Sequence, residues 1–328
     1  MNLYPWHSQI YQQLTHSFLN GRGHHALLFK TEVGLGTELL IRQFAHWLFC
    51  QEKQLTEPCG RCKTCVLWQS GNHPDYHLIE SIDGKDIGVD QIRELTTKLQ
   101  QFSQQGGNSV IYIAGANRLT EAASNALLKT LEEPNEKIYF LLEAPLQSAM
   151  LATIQSRCQT WLVHTPYVEQ AYQWLQPQFP EYQVAELQTA LRICHNRPLI
   201  CKKFLESDRL QERKTFLQTF WKFYKSGDVW LLFQAFSSEI ERQCEQLEWL
   251  DSFFTDALKA KLNIAAGWVN PDLQAGIIPF SQALSAQKLL KGHYIIQQTQ
   301  RDLLEVNAVN SELMLVNCLT KLAVEVFN

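Results

Sequence analysis

Two hydrophobic patterns divide the chain. In the first half, short apolar runs alternate with stretches of helical spacing. Leu27-Leu28-Phe29, Tyr76 to Glu80, Val110-Ile111-Tyr112-Ile113, Ile138 to Leu142 and Gln159 to Val163 predict strands. Between them, Trp6, Ile10, Leu14 and Phe18 predict a helix that Asn20-Gly21 closes. Leu39, Leu40, Ile41, Phe44 and Leu48 predict a second, and Val89, Ile92, Leu95, Leu99 and Phe102 share one side of a third. Gly106-Gly107-Asn108 turns the chain into the strand at Ser109. Thr120 can N-cap a helix that runs through Leu131 to Pro134, with a small face at Ala122, Ala123 and Ala126. Met150 to Ile154 predicts a short helix. After Thr165-Pro166 the pattern is helical throughout. Residues 167–207 hold Tyr172, Trp174, Leu175, Leu187 and Leu191 at helical spacing. Beyond Asp208 come an aromatic stripe (Phe216, Phe220, Phe223, Tyr224) and helices over Trp230–Phe236, Ile240–Leu262, Ser281–Val306 and Ser311–Phe327. Asn270-Pro271 and Ile278-Pro279 are the expected breaks.

Composition narrows the function. A chain of 328 residues with 45% hydrophobic content can build two or three cored domains. A net charge of −4 argues against a protein that grips nucleic acid alone. Met1 to Ile10 lacks the apolar centre of a signal peptide, and no apolar run has the length of a membrane span. Nine cysteines, four of them clustered, point to a reducing, cytoplasmic compartment and a metal site rather than a disulfide framework.

The candidate chemistry begins at the first strand. Leu27 to Glu38 reads as strand, glycine turn and helix start, the layout of a phosphate-binding loop. The working loop is G-x-x-x-x-G-K-[ST]; its Lys reaches the phosphates and its hydroxyl holds Mg²⁺. Here Thr31 replaces the first Gly, Gly34 lies within the turn, Gly36 is kept, Thr37 replaces Lys and Glu38 replaces Ser/Thr. A unit charge at ~4 Å is worth roughly 4 kcal/mol at an effective dielectric near 20. Losing a cation and gaining an anion therefore argues against a bound triphosphate. The strand at 109–113 ends in Ala114-Gly115-Ala116-Asn117, without the acidic pair that would hold Mg²⁺.

The second candidate is Cys50, Cys59, Cys62 and Cys65, spaced C-x8-C-x2-C-x2-C with Gly60 easing the turn. Four thiolates close a tetrahedral shell, which makes a structural zinc site, with no open position for water or substrate. Unligated buried thiols or a redox pair are the alternatives. His73, in the turn before the second strand, and the pair His24-His25 are read as structural.

Ser124-Asn125-Ala126-Leu127-Leu128-Lys129-Thr130-Leu131-Glu132-Glu133-Pro134 resembles the signature of the clamp-loader branch of the AAA+ family. The four-cysteine insertion and Ser156-Arg157-Cys158 extend the resemblance. It implies a P-loop AAA+ (RecA-like) α/β domain over 1–164 with a zinc-binding module at 50–65, a small helical lid over 165–207 and an all-helical oligomerisation collar over 208–328. It also implies that Arg157 reaches across a subunit interface as an arginine finger toward the ATP of a neighbouring motor subunit. Without the resemblance, Arg157 is an ordinary surface or salt-bridged arginine. Ala144 and Pro145 stand where motor subunits keep a residue that senses the γ-phosphate. In the lid turn His195-Asn196-Arg197-Pro198-Leu199, Leu199 stands where they carry a nucleotide-contacting Arg. The implied role is a non-catalytic stator of a bacterial replicative polymerase's clamp loader, binding no ATP itself. Its implied partners are the gamma/tau motor subunits, the clamp-opening delta subunit and, through the assembly, primed DNA. A weak ATPase with an unusual loop and a zinc-containing nucleic-acid binder are the competing readings.

Overall fold

A computed structural model of the chain describes residues 3–99, 107–132, 137–305 and 310–328. Phe102, Gly106, Glu133, Pro134 and Val306, assigned above to helix faces, helix ends or a turn, lie outside the described residues. The chain forms two compact units, Met1–Gln170 and Ala171–Asn328.

The first unit holds β1 (Ala26–Thr31), β2 (Tyr76–Ile79), β3 (Ser109–Ile113), β4 (Ile138–Pro145) and β5 (Gln159–Leu162). With them are α1 (Ser8–Leu19), α2 (Thr37–Phe49), α3 (Lys63–Gln69), α4 (Val89–Leu99), α5 (Glu121–Glu132) and the short α6 (Ala152–Gln155). All strand pairs are parallel, in the order β2-β3-β4-β1-β5. Successive side chains of a strand point to opposite faces. Leu27, Phe29, Val110, Tyr112 and Leu141 therefore pack with Leu14 of α1 and with Phe44 and Leu48 of α2. Ala26, Leu28, Ile111, Ile113, Phe140 and Leu142 pack on the other side with Ile92 and Leu95 of α4 and Leu127 and Leu131 of α5. Both faces are covered, so the central strands read as unbroken apolar runs.

Several boundaries differ from the sequence expectation: β2 and β5 end at Ile79 and Leu162, one residue early, and α6 starts at Ala152 rather than Met150. Trp6 sits in a 3₁₀ turn, Pro5–His7, ahead of α1. β4 continues three residues past Leu142, because Glu143, Ala144 and Pro145 stay in register with Phe29, Lys30 and Thr31 of β1. Pairing with a buried neighbour outweighs the turn-like composition of Glu-Ala-Pro. The N-cap at Thr120 forms as expected, its hydroxyl accepting from the Ala123 N–H at 3.2 Å.

α7 (Val168–Leu175) spans the boundary between the units, and the second unit continues with α8 (Val184–Ile193), α9 (Pro198–Glu206), α10 (Arg209–Ser226), α11 (Val229–Phe233), α12 (Ile240–Lys261), α13 (Gln274–Ala283), α14 (Ala286–Glu305) and α15 (Ser311–Lys321), which runs into a π-helical turn at Leu322–Phe327. Pro279 does not break the chain; it lies inside α13, and Ser281 belongs to α13 rather than to the helix after it. The break falls instead at Leu284-Ser285. A mid-helix proline forfeits one backbone hydrogen bond. The offset is burial: Ile277 and Phe280 are wholly enclosed, and the Phe280 ring packs on Phe253, Phe254, Tyr224 and Phe327. Arg213, also wholly buried, bonds Asp272 at 3.0 Å and Asn270, which ties the segment before α13 to α10. No helix among the described residues is long and apolar enough to cross a membrane.

Gly292 lets α14 approach this aromatic core. A Cβ there would lie 2.2 Å from the Phe254 ring, which is fully enclosed. Overpacking of this kind costs about 1–3 kcal/mol. Gly292→Val should lower the urea midpoint of the chain accordingly; an unchanged midpoint would show that the contact is soft.

Candidate functional site

β1 delivers the phosphate-loop layout to the sheet interior. All six of its residues are buried, and Gly34 and Gly36 take φ of +93° and +71°, a backbone region that side chains disfavour. Leu35 between them is fully buried, and its carbonyl accepts from the Trp6 indole at 2.8 Å. The loop is thus clamped from beneath, and α2 starts at Thr37. Its partly positive N-terminal end meets the chain's own Glu38 in the first turn.

The two threonine hydroxyls of the loop are occupied by each other. Thr31 and Thr37 are buried and share a hydrogen bond of 2.5 Å with each other. Lys30, the nearest cation in sequence, points away: its ammonium donates to the carbonyls of Ser148 at 3.0 Å and Pro145 at 3.4 Å. A cavity of about 350 Å³ remains above the loop, lined by Thr31, Gly36, Glu38, Arg118, Glu143 and their neighbours. Glu143 is the residue that sequence reasoning missed. Strand β3 brings no acid, but the extension of β4 does, and the Tyr112 hydroxyl donates to that carboxylate. Burial pushes the Glu143 carboxyl above the usual range, and the nearby Glu38 adds to the shift, against the lowering by Tyr112. Arg118 supplies positive charge, yet it already pairs with Asp86 at 3.3 Å. Glu32, Glu38 and Glu143 border the cavity, with Arg118 as the cation among its described lining residues.

The four cysteines converge. Cys50 follows α2 directly, Cys62 caps α3, Cys65 lies in its first turn, and Gly60 has φ of +71°. All four sulfurs lie within 4.8 Å of one another, and Cys59 and Cys65 are 3.9 Å apart. Tetrahedral thiolates about 2.3 Å from a zinc ion stand about 3.8 Å from each other. Backbone N–H groups of Cys59 and Cys62 donate to the sulfurs of Cys50 and Cys59 at 3.2 and 3.3 Å. This donor set can hold a metal ion. His73 instead stacks on Phe49, its Nδ1 accepting from the Asp75 N–H. His25 bonds the Leu131 carbonyl at 2.9 Å.

Arg157 lies just after α6, partly exposed. Its Nε donates to Glu132 Oε1 at 2.8 Å, its Nη2 bonds the same oxygen, and its Nη1 donates to the Thr153 carbonyl at 2.8 Å. Within this chain it is a salt-bridged arginine, and Glu132, the end of α5, is its partner. Burial among the α5 layer pushes the adjacent Cys158 thiol up to about 12, unsuited to a nucleophile.

The family described as "DNA polymerase III, delta subunit" matches residues 6–166, and "DNA polymerase III, delta subunit, C terminal" matches 207–323. A relative from Haemophilus influenzae, the DNA polymerase III subunit delta', is 45% identical over 99% of this chain and 98% of its own length. The chain belongs to the DNA polymerase III subunit delta' family. The Escherichia coli relative of the same name is 34% identical over 98% of this chain and 96% of its own. Among solved structures, a DNA polymerase III gamma subunit-related protein from Thermotoga maritima is similar over 97% of this chain and 99% of its own, with 16% identity and a TM-score of 0.42.

In the second unit, the turn His195-Asn196 has two successive positive φ values, and the Arg197 Nε donates to the Cys194 carbonyl at 3.1 Å. Leu199 lies in the first turn of α9.

Glu143 gives this delta' family member a testable pH signature. A carboxyl whose folded pKa is raised favours the fold below its unfolded pKa, and that contribution is lost as pH rises through the folded value. Glu143→Gln keeps an acceptor for Tyr112 without the charge. It should therefore raise the urea midpoint at pH 8 and have little effect below the ordinary carboxylate range. An equal effect at both pH values would refute a half-buried carboxylate with a raised pKa.

Proposed function

We propose that this chain is the non-catalytic stator of the DNA polymerase III clamp loader, which places a sliding clamp on primed DNA. The observation that carries the reading is the phosphate loop. Its threonine hydroxyls are spent on each other, its nearest lysine is turned to carbonyls, and Glu38 and Glu143 border the space a phosphate would take. Loop and sheet geometry persist without the charges that hold a nucleotide. A weak ATPase would need a replacement cation, and the described residues lining the cavity offer only Arg118, already paired.

In this reading the chain holds the delta subunit, adjoins a gamma/tau motor subunit, and meets primed DNA through the assembly. Residues 1–164 form the AAA+ body, 165–207 the lid and 208–328 the collar. Arg157 is the trans finger, because a permanently charged guanidinium stabilises the charge that develops on a transferring phosphoryl group. Cys50, Cys59, Cys62 and Cys65 would hold a structural zinc that folds the 50–65 insertion. Such thiolates suit a reducing, cytoplasmic setting.

Arg157→Ala in a reconstituted loader should leave assembly intact by gel filtration and lower ATP turnover stimulated by DNA and clamp at least several-fold. Unchanged turnover would remove the finger role. The purified chain should carry about one zinc per chain by elemental analysis. Cys65→Ser should abolish it and expose the 50–65 segment to protease; a zinc-free wild-type chain that resists protease would overturn the assignment.

A further inference from the structure

We propose that Glu132 is a positioning residue for Arg157: its carboxylate holds the guanidinium at rest, and a nucleotide phosphate supplied by a neighbouring subunit must displace it. This rests on the finger reading above. An arginine has five N–H donors. Nε and one Nη2 proton go to Glu132 Oε1, and the Nη1 protons go to the Thr153 carbonyl at 2.8 Å and the Ser156 hydroxyl at 3.3 Å. Phosphate is recognised through two parallel donors on one edge of the guanidinium. As arranged, no such edge is open among the described contacts. A finger in this state could offer a phosphoryl group a single proton, with much of its charge cancelled by the carboxylate.

Glu132 is the partner suited to yield. The Thr153 carbonyl is fixed in the backbone of α6, whereas Glu132 is a flexible side chain at the end of α5. The ion pair is partly exposed, at 32% for Arg157 and 47% for Glu132, and pairs of that exposure are weak and screened by salt. Carboxylate and phosphate compete for the same Nε–Nη2 edge and repel each other. The contact therefore keeps the finger docked without nucleotide and gives way at little cost when a phosphoryl anion arrives.

The test is a double-mutant cycle in the reconstituted loader, comparing wild type, Glu132→Gln, Arg157→Ala and the double variant, with assembly checked by gel filtration. The readout is ATP turnover without DNA at subsaturating ATP. Glu132→Gln should raise it about 1.5- to 5-fold, the change expected from losing one exposed ion pair. The double variant should match Arg157→Ala alone, a non-additivity that a merely structural glutamate would not show. Glu132→Ala should behave as Glu132→Gln does. If Arg157→Ala is slow but Glu132→Gln is unchanged or slower than wild type, the positioning role is wrong while the finger stands. If Arg157→Ala equals wild type, the finger fails and the proposal falls with it.

Discussion

The burial of β1 on both faces is the constraint from which the rest of the first unit follows. A six-residue strand with no exposed side chain must pair on both edges, and it does so with β4 and β5. That pairing fixes the height at which the glycine loop leaves the sheet. It also draws β4 out to Pro145, so that Glu143 stands beside the loop and Lys30 reaches the carbonyls beyond β4. The placement of Glu143 and of Lys30 beside the loop is thus a consequence of one register. A one-residue slip would reverse every side chain of β1 between its two layers.

The cavity beside the glycine loop is bordered by Glu38 and Glu143, with Arg118 as the cation among its described lining residues. Gly34 and Gly36 keep their left-handed conformations and α2 still aims its N-terminus at the cavity. A glutamate occupies the first turn of α2, Glu143 also lines the cavity, and Lys30 is turned to the Ser148 carbonyl. Arg157 lies just after α6, in a partly exposed pair with Glu132.

Features encoded by neighbours in sequence were legible beforehand. The cysteine spacing, the strand–glycine–helix layout at 27–38 and the cap at Thr120 depend on a few adjacent residues, and the spacing carries the geometry. Glu143 and Glu132 were not legible as site residues, because their roles depend on which distant element they face. Glu143 reads as the polar end of a strand until the β1 register places it, and Glu132 reads as one acid of a signature until α6 packs against α5. Pro279 misled for a related reason: its missing N–H is a local signal, and the enclosed Phe280 ring that outweighs it draws on α10, α12 and the C-terminal turn. Residues 167–328 were legible as helical only. Ala171–Asn328 forms one compact unit, within which Arg192 of α8 bonds the Trp268 carbonyl.

The central claim is that a nucleotide-shaped cavity here binds no nucleotide. Calorimetric titration of the full chain with ATP and Mg²⁺ at low ionic strength tests it most directly. The account predicts no saturable heat up to millimolar ATP, and none with ADP. Saturable binding at micromolar ATP that Arg118→Ala abolishes would contradict it, because the cavity's single described cation would then be sufficient where the loop's lost lysine was held to be decisive.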